Sequence, residues 1–486
     1  MGKLSELEPK KVFEYFEEIS AIPRGSGNME AISSYLENFA KNRGLEHVRD
    51  ELNNVFIKVP ATKGYEDSPA VLIQGHMDMV CEKTSQSRHD FKKDGIDLDH
   101  MDNEIFARGT TLGADDGIAL AYILALIDSG EEAPHPALEC LFTTDEETGM
   151  EGVKGFDFSR VSARNVINLD SEDEGVIYVS CAGGLRGTLR IPVKRFDVSG
   201  ILYNVVISGL HGGHSGDMID RYYANAIIIM GRLLHFLSTK TAFHISKLQG
   251  GLMDNAIPRE ANCRLIVSPA HSKDFELLIE EFEKTIKNEF SANEKNMMIY
   301  CECLGESTEN VVKPRLQSRM IFLMNTVPDG VQNMCVDEKQ KGLVKTSLNF
   351  GIMRLRDDHF TLEASLRSSV SSEKYALSDK LKFLAEGIGG TYEVKGDYPA
   401  WEFNEDSKLM KLSSDIYKEL FGYNPVIKGI HAGLECGVIY HALKPVDVIS
   451  FGPQINGAHT PKEKLSITSV QKTWDFLLRI LENMKQ

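Results

Sequence analysis

Residues 116–128 read DGIALAYILALID, and every position from Ile118 to Ile127 is apolar or aromatic. A helix with this composition has no polar face to turn toward water, so it must be covered on all sides. It is too short to span a bilayer. The fold must therefore wrap it in other layers. Four short apolar runs, at 71–73, 138–143, 166–169 and 446–451, lack the polar alternation of half-exposed strands. Spaced between helical segments, they predict an α/β domain around a mostly parallel sheet buried on both faces.

The chain has 486 residues, enough for more than one domain and a sizeable core. A formal net charge of −17 argues against nucleic acid or an anionic membrane as partner and favours cations. Eight scattered cysteines with no C-x-x-C pair read as free thiols of a reducing compartment. The opening MGKLSELEPKKVFEYFEEI has no apolar signal core, and the expected location is cytoplasmic.

Amphipathic spacing predicts a helix starting near Pro9, with Val12, Phe13, Phe16 and Ile19 inward, and a second around residues 29–41. Between about 186 and 398 the texture changes to longer alternating strands and amphipathic helices. The order reads βαββα followed by βαββαβ, which predicts two ferredoxin-like units in tandem. The expected organisation is a catalytic domain at 1–185 and 399–486, interrupted by an inserted α+β lid domain at 186–398.

Chemistry gathers where strands end or the buried helix begins. GHMD carries His76 and Asp78; GADDG carries Asp115 and Asp116; TTDEETG carries Glu146 and Glu147; NLDSEDEG carries Asp170; INGAHTPKE carries His459. Taken singly, each has a plain reading: a strand-end histidine bonded to backbone, a helix cap, a solvated acidic turn. Their joint occurrence at strand ends is different, because ligands of open α/β sheets collect at the carboxyl edge. Two histidines with several carboxylates and no thiolate suit Zn²⁺, with Mn²⁺ or Co²⁺ as alternatives. The number fits two metal ions sharing one carboxylate and activating a water.

These segments, with SGLHGGHSGD, DNAIPREA and HAGLECG, resemble the co-catalytic zinc aminopeptidase, carboxypeptidase and aminoacylase clan, and within it the aminoacyl-histidine (Xaa-His) dipeptidases and carnosinases. The resemblance implies a zinc-exopeptidase-like fold and one metal on His76, Asp170 and Asp115. It implies a second on Glu147, His459 and the shared Asp115, with a cis peptide between Asp115 and Asp116. Asp78 would orient His76. Glu146 would be the general base, and His214, rather than its neighbour His211, would donate to the developing oxyanion. Asn255 and Arg367 would hold the substrate carboxylate, and Glu435 the substrate amine. The implied activity is hydrolysis of Xaa-His dipeptides, carnosine included. The rivals are a tripeptidase or N-acyl amino acid deacylase of the same clan, and a non-catalytic binding relative. The expected partner is a small peptide, and a homodimer is compatible with the reading.

Overall fold

The computed structural model describes residues 2–338 and 340–485, which divide into two compact units. The first comprises Met1–Cys181, Trp401–Ile430 and Leu434–Gln486; the second comprises Ala182–Ala400 and His431–Gly433.

The first unit is built on an eight-stranded sheet. Its spatial order is Glu46–Arg49, Val55–Val59, Leu138–Thr143, Val71–His76, Asn165–Asn168, Asp447–Ser450, Val176–Cys181 and Val426–Ile430. The four central strands, Leu138–Thr143 through Asp447–Ser450 in that order, run parallel. The mostly parallel sheet expected from the apolar runs is present. Residues Val71–His76 and Leu138–Thr143 are buried along their whole length, as a sheet covered on both faces requires.

The apolar helix spans Ala114–Ser129, and every residue from Ala114 to Ile127 is buried. Asp115 and Asp116 have non-helical backbone angles and are joined by a cis peptide, so regular helical turns begin after them. The amphipathic helices Lys10–Ser20 and Glu30–Asn42 bury one face each, with Val12, Phe13, Phe16 and Ile19 inward as their spacing predicts. A small four-stranded sheet pairs Ile455–Asn456 with Lys464–Ser466, and the latter with Glu104–Ala107. It pins both ends of the turn that carries His459.

The second unit is one antiparallel sheet with two ferredoxin-like halves. In one, the strands lie in the order Met298–Val312, Arg195–Ser208, Ala261–Val267, Phe243–Gly250, with helices Ala226–Ser238 and Ser272–Glu289. In the other, the order is Val344–Leu355, His359–Ser368, Gly183–Pro192, Thr391–Tyr398, with helices Pro314–Thr326 and Ser371–Gly387. The halves join where Gln249 and Gly250 pair with Arg354 and Met353.

The expected tandem arrangement needs correction: the halves are nested. The strand Gly183–Pro192 opens the second half, and the whole first half is inserted between it and helix Pro314–Thr326. That strand is easy to overlook because three of its ten residues are glycine, a residue that weakens strand patterns. The glycines are there for packing. A Cβ at Gly184 would sit 2.5 Å from the Tyr398 hydroxyl, and one at Gly187 would collide with the Tyr392 ring. Among the described residues, no helix is long and apolar enough to cross a membrane. All eight cysteines are free.

Candidate metal centre

His76 is the last residue of its strand, and Asp115 precedes the first regular turn of the buried helix. Glu146 and Glu147 follow the strand ending at Thr143, and Asp170 follows the one ending at Asn168. All of these strands end at the same edge of a parallel sheet, so the side chains converge.

The two carboxylate oxygens of Asp115 face different histidines. Oδ1 lies 3.0 Å from His76 Nε2, and Oδ2 lies 2.9 Å from His459 Nε2. Asp170 Oδ1 is 3.5 Å from His76 Nε2, and Glu147 Oε1 is 3.0 Å from His459 Nε2. Asp115 is thus flanked by a His76–Asp170 pair on one side and a His459–Glu147 pair on the other. These separations, 2.9 to 3.5 Å, bring the donor atoms as close as ligands of one small cation stand to each other. The groups Asp115–Glu147–His459, His76–Asp116–Asp170 and His76–Glu146–Glu147 each bring three donor atoms within 4.8 Å of one another. Asp116 enters the second of these, and its Oδ2 also accepts the His76 backbone N–H at 3.1 Å.

The electrostatics fit a cation. Hydrogen bonds to Asp115 and Glu147 push His459 up to about 11. Burial lowers the His76 pKa, but Asp170 and Asp115 outweigh it and hold it well above the ordinary value. Burial raises Asp116 and Glu146 well above the usual carboxylate range, and Asp170 to about 6. So many acids around two histidines mark a place short of positive charge, and divalent ions on these donors would supply it.

Asp78 has no accessible surface and does more than orient His76, whose Nδ1 lies 3.3 Å from its Oδ1. It accepts the backbone N–H of Glu146 at 3.0 Å and of Glu147 at 3.3 Å, and the Ser26 hydroxyl at 2.8 Å. Burial raises its carboxyl, but the His76 contact and these donors hold it below its ordinary value. His76 Nδ1 is also 3.1 Å from the Asp78 backbone carbonyl, so this one residue meets both the histidine and the acidic turn.

Three supporting residues carry almost no signal in the sequence. Asp145 adopts φ +54°, and its Oδ1 accepts the Gly27 N–H at 2.6 Å, anchoring the turn that presents Glu146 and Glu147. Glu463 accepts N–H groups from Leu112 at 2.9 Å, Gly113 at 3.1 Å, Ala114 at 2.8 Å and Asp115 at 3.4 Å. Arg24, fully buried, donates to the carbonyls of Met77 at 2.9 Å, Asp78 at 3.1 Å and Gly113. The last two grip opposite ends of the peptide groups that carry Asp115. Only the nearness of Glu463 to His459 in sequence hints at this.

Glu435, the candidate for the substrate amine, is 0 % exposed, and its Oε1 has no hydrogen-bond partner among the described residues. Its Oε2 accepts from Thr143 Oγ1 at 2.6 Å and from Gln74, whose Oε1 in turn accepts from Asn168 at 2.7 Å. It belongs to a polar chain inside the sheet, and burial pushes it up to about 8.

His214, Asn255 and Arg367 lie in the second unit. His214 and Ala256 pair in a two-stranded ribbon. The Asp217 N–H lies 3.3 Å from His214 Nδ1, and the Asp217 carboxylate lies 3.5 Å from the same nitrogen. His211 stacks on Tyr223 at 3.9 Å and has its Nδ1 3.1 Å from the Gly212 carbonyl, which makes it structural. Arg367 donates to the Tyr398 hydroxyl at 3.2 Å, and its Nε is buried with no partner.

Residues 72–483 match the profile of peptidase family M20/M25/M40. The chain belongs to this family. The peptidase is 35% identical over 487 residues to the cytosol non-specific dipeptidase of Escherichia coli, a match covering 100% of this chain and 99% of the relative. It is also similar to the crystal structure of aminoacylhistidine dipeptidase from Vibrio alginolyticus, with TM-score 0.89 and 34% identity over 99% of this chain and 98% of that one. An aminopeptidase structure from Bacillus cereus shares the fold at TM-score 0.56 and 17% identity, covering 99% of this chain and 100% of that one. The peptidase is accordingly a hydrolase, and its sheet-edge cluster is a candidate metal site of a metallopeptidase.

Proposed function

We propose that this chain is a cytoplasmic dipeptidase that hydrolyses Xaa-His dipeptides with two divalent metal ions, zinc first among them. The observation that carries the reading is the shared Asp115, with one oxygen toward His76 and the other toward His459. Both relatives that match the full chain at about one third identity bear dipeptidase names. His76, Asp170 and Asp115 would hold one ion, and Glu147, His459 and Asp115 the other. When bound, such ions polarise a carbonyl and lower the pKa of a water.

The protein's own groups do the rest. Glu146, as carboxylate, accepts a proton from the attacking water and returns it to the leaving amine. Asp78 holds the Glu146 backbone through its N–H while that proton moves. His214 donates from Nε2 to the scissile carbonyl oxygen as negative charge develops there. Arg367 and Asn255 bind the substrate carboxylate, for which the planar guanidinium fork is suited.

The test is a panel of Ala-His, carnosine, other dipeptides, tripeptides and N-acetyl amino acids, assayed after chelation and add-back of Zn²⁺, Mn²⁺ or Co²⁺. Metal-dependent release of histidine from Ala-His is expected. Preferred cleavage of N-acetyl amino acids or tripeptides would replace the reading, and no metal-dependent hydrolysis of any peptide would end it.

A further inference from the structure

The strand Val344–Leu355 of the second unit carries buried polar side chains, and one of them, Asn349, reaches the loop that bears Asn255. Asn349 is 2 % exposed. Its Nδ2 donates to the carbonyl of Asp254 at 3.1 Å and to that of Ala256 at 2.9 Å, clasping the chain on both sides of Asn255. The Asn255 carbonyl accepts the Ser215 N–H at 2.8 Å, and His214 pairs with Ala256, so Asn255 and His214 form one ribbon. Whatever holds the one holds the other.

The clasp is itself supported. Asn225 caps helix Ala226–Ser238 with its Oδ1, and its Nδ2 donates to the Asn349 side chain at 3.4 Å, the Phe350 carbonyl at 3.0 Å and Asp329 at 3.3 Å. Asp329 accepts the Phe350 N–H at 3.1 Å. The strand bulges between Phe350 and Ile352, and a Cβ on Gly351 would collide with Met253 and Asp254. The loop bearing Asn255 thus lies directly on the strand. Two residues before Asn349, on the same face, Ser347 sits opposite Arg367 in register and bonds His431 Nε2 at 2.7 Å. A single strand therefore spaces the carboxylate-binding arginine from the His214–Asn255 ribbon.

We infer that Asn349 is a positioning residue that sets where Asn255 and His214 stand relative to Arg367. This rests on the reading that those three residues meet the substrate. An isosteric Asn349→Leu removes both donors and frees the loop; a misplacement near 1 Å costs roughly 10²-fold in rate.

The experiment is a double-mutant cycle on the metal-loaded enzyme with Ala-His as substrate. Asn349→Leu is expected to lower kcat/KM about tenfold or more. Metal content, determined by the other unit, stays at the wild-type value. In an Asn255→Ala, His214→Ala background the same substitution has little further effect, because what it positions is gone; a merely structural role would leave its full penalty there. If Asn349→Leu does not fold, Asn349→Ser runs the same cycle. Full additivity, or wild-type kcat/KM for both Asn349 variants alongside impaired Asn255→Ala and His214→Ala, overturns the inference alone. Wild-type rates for Asn255→Ala and His214→Ala overturn the substrate reading and the inference with it.

Discussion

Glu463→Gln tests how the centre is held together. The carboxylate spreads two oxygens over four amides, Oε2 on Leu112 and Gly113, Oε1 on Ala114 and Asp115. Glutamine keeps one oxygen and turns an NH2 group toward the other two N–H donors. Two contacts are lost, and donors face donors in a site with almost no access to water. A hydrogen bond to a charged group contributes roughly 1.5–3 kcal/mol, so the loss is about 3–6 kcal/mol. The loop that carries Asp115 then has no fixed conformation, and metal affinity falls as well. Denaturant unfolding of the metal-free protein measures the first effect, and competition with a chromophoric chelator measures the second. Glu463→Asp, one methylene shorter, should fall between the two. An unfolding midpoint and metal affinities both equal to wild type for Glu463→Gln would refute the claim that this acid anchors the bridging loop.

Glu146→Gln should keep its metals while kcat drops by about 10²–10⁴-fold, the usual worth of a general base; metal analysis beside single-turnover rates checks both halves. Leu124→Ala, within the helix buried on all sides, should destabilise the first unit by about 2–5 kcal/mol, read from denaturant melts. Burial lifts the Asp329 carboxyl from its ordinary 3.8 to about 7 in the folded protein. Its proton therefore stabilises the fold fully below pH 3.8, and that contribution is lost as pH rises to about 7. Asp329→Asn should remove this decline from the second unit's stability between pH 4 and 7, measured by melts across that range on both proteins; parallel profiles would count against the burial argument.

Much of the first unit is legible along the chain because burial leaves local marks. An all-apolar run must be a covered element, and a His or acid at the end of such a run must sit at the sheet edge. That argument reaches His76, Asp115, Glu146, Glu147, Asp170 and His459 without knowing any contact between them. It does not reach Glu435, which stands at the start of a short helix and is buried against Thr143 and Gln74. It fails also for the nesting of the second unit's halves, since which strand lies beside which depends on pairings across more than a hundred residues. The glycines of Gly183–Pro192 make sense only against the tyrosines they pack on.

The sequence alone determined the layers and the chemistry: which segments must be buried, and which donor atoms stand at their ends. Tertiary structure decided what holds those donors still. Arg24, Asp145, Glu463 and Asn349 are ordinary polar residues whose partners are backbone groups of distant loops, Leu112 lying 351 positions from Glu463. Backbone N–H and C=O groups are the same at every residue, so a side chain that grips them leaves no pattern in its own neighbourhood or in that of its partner. Their roles exist only once the fold has brought the loops together.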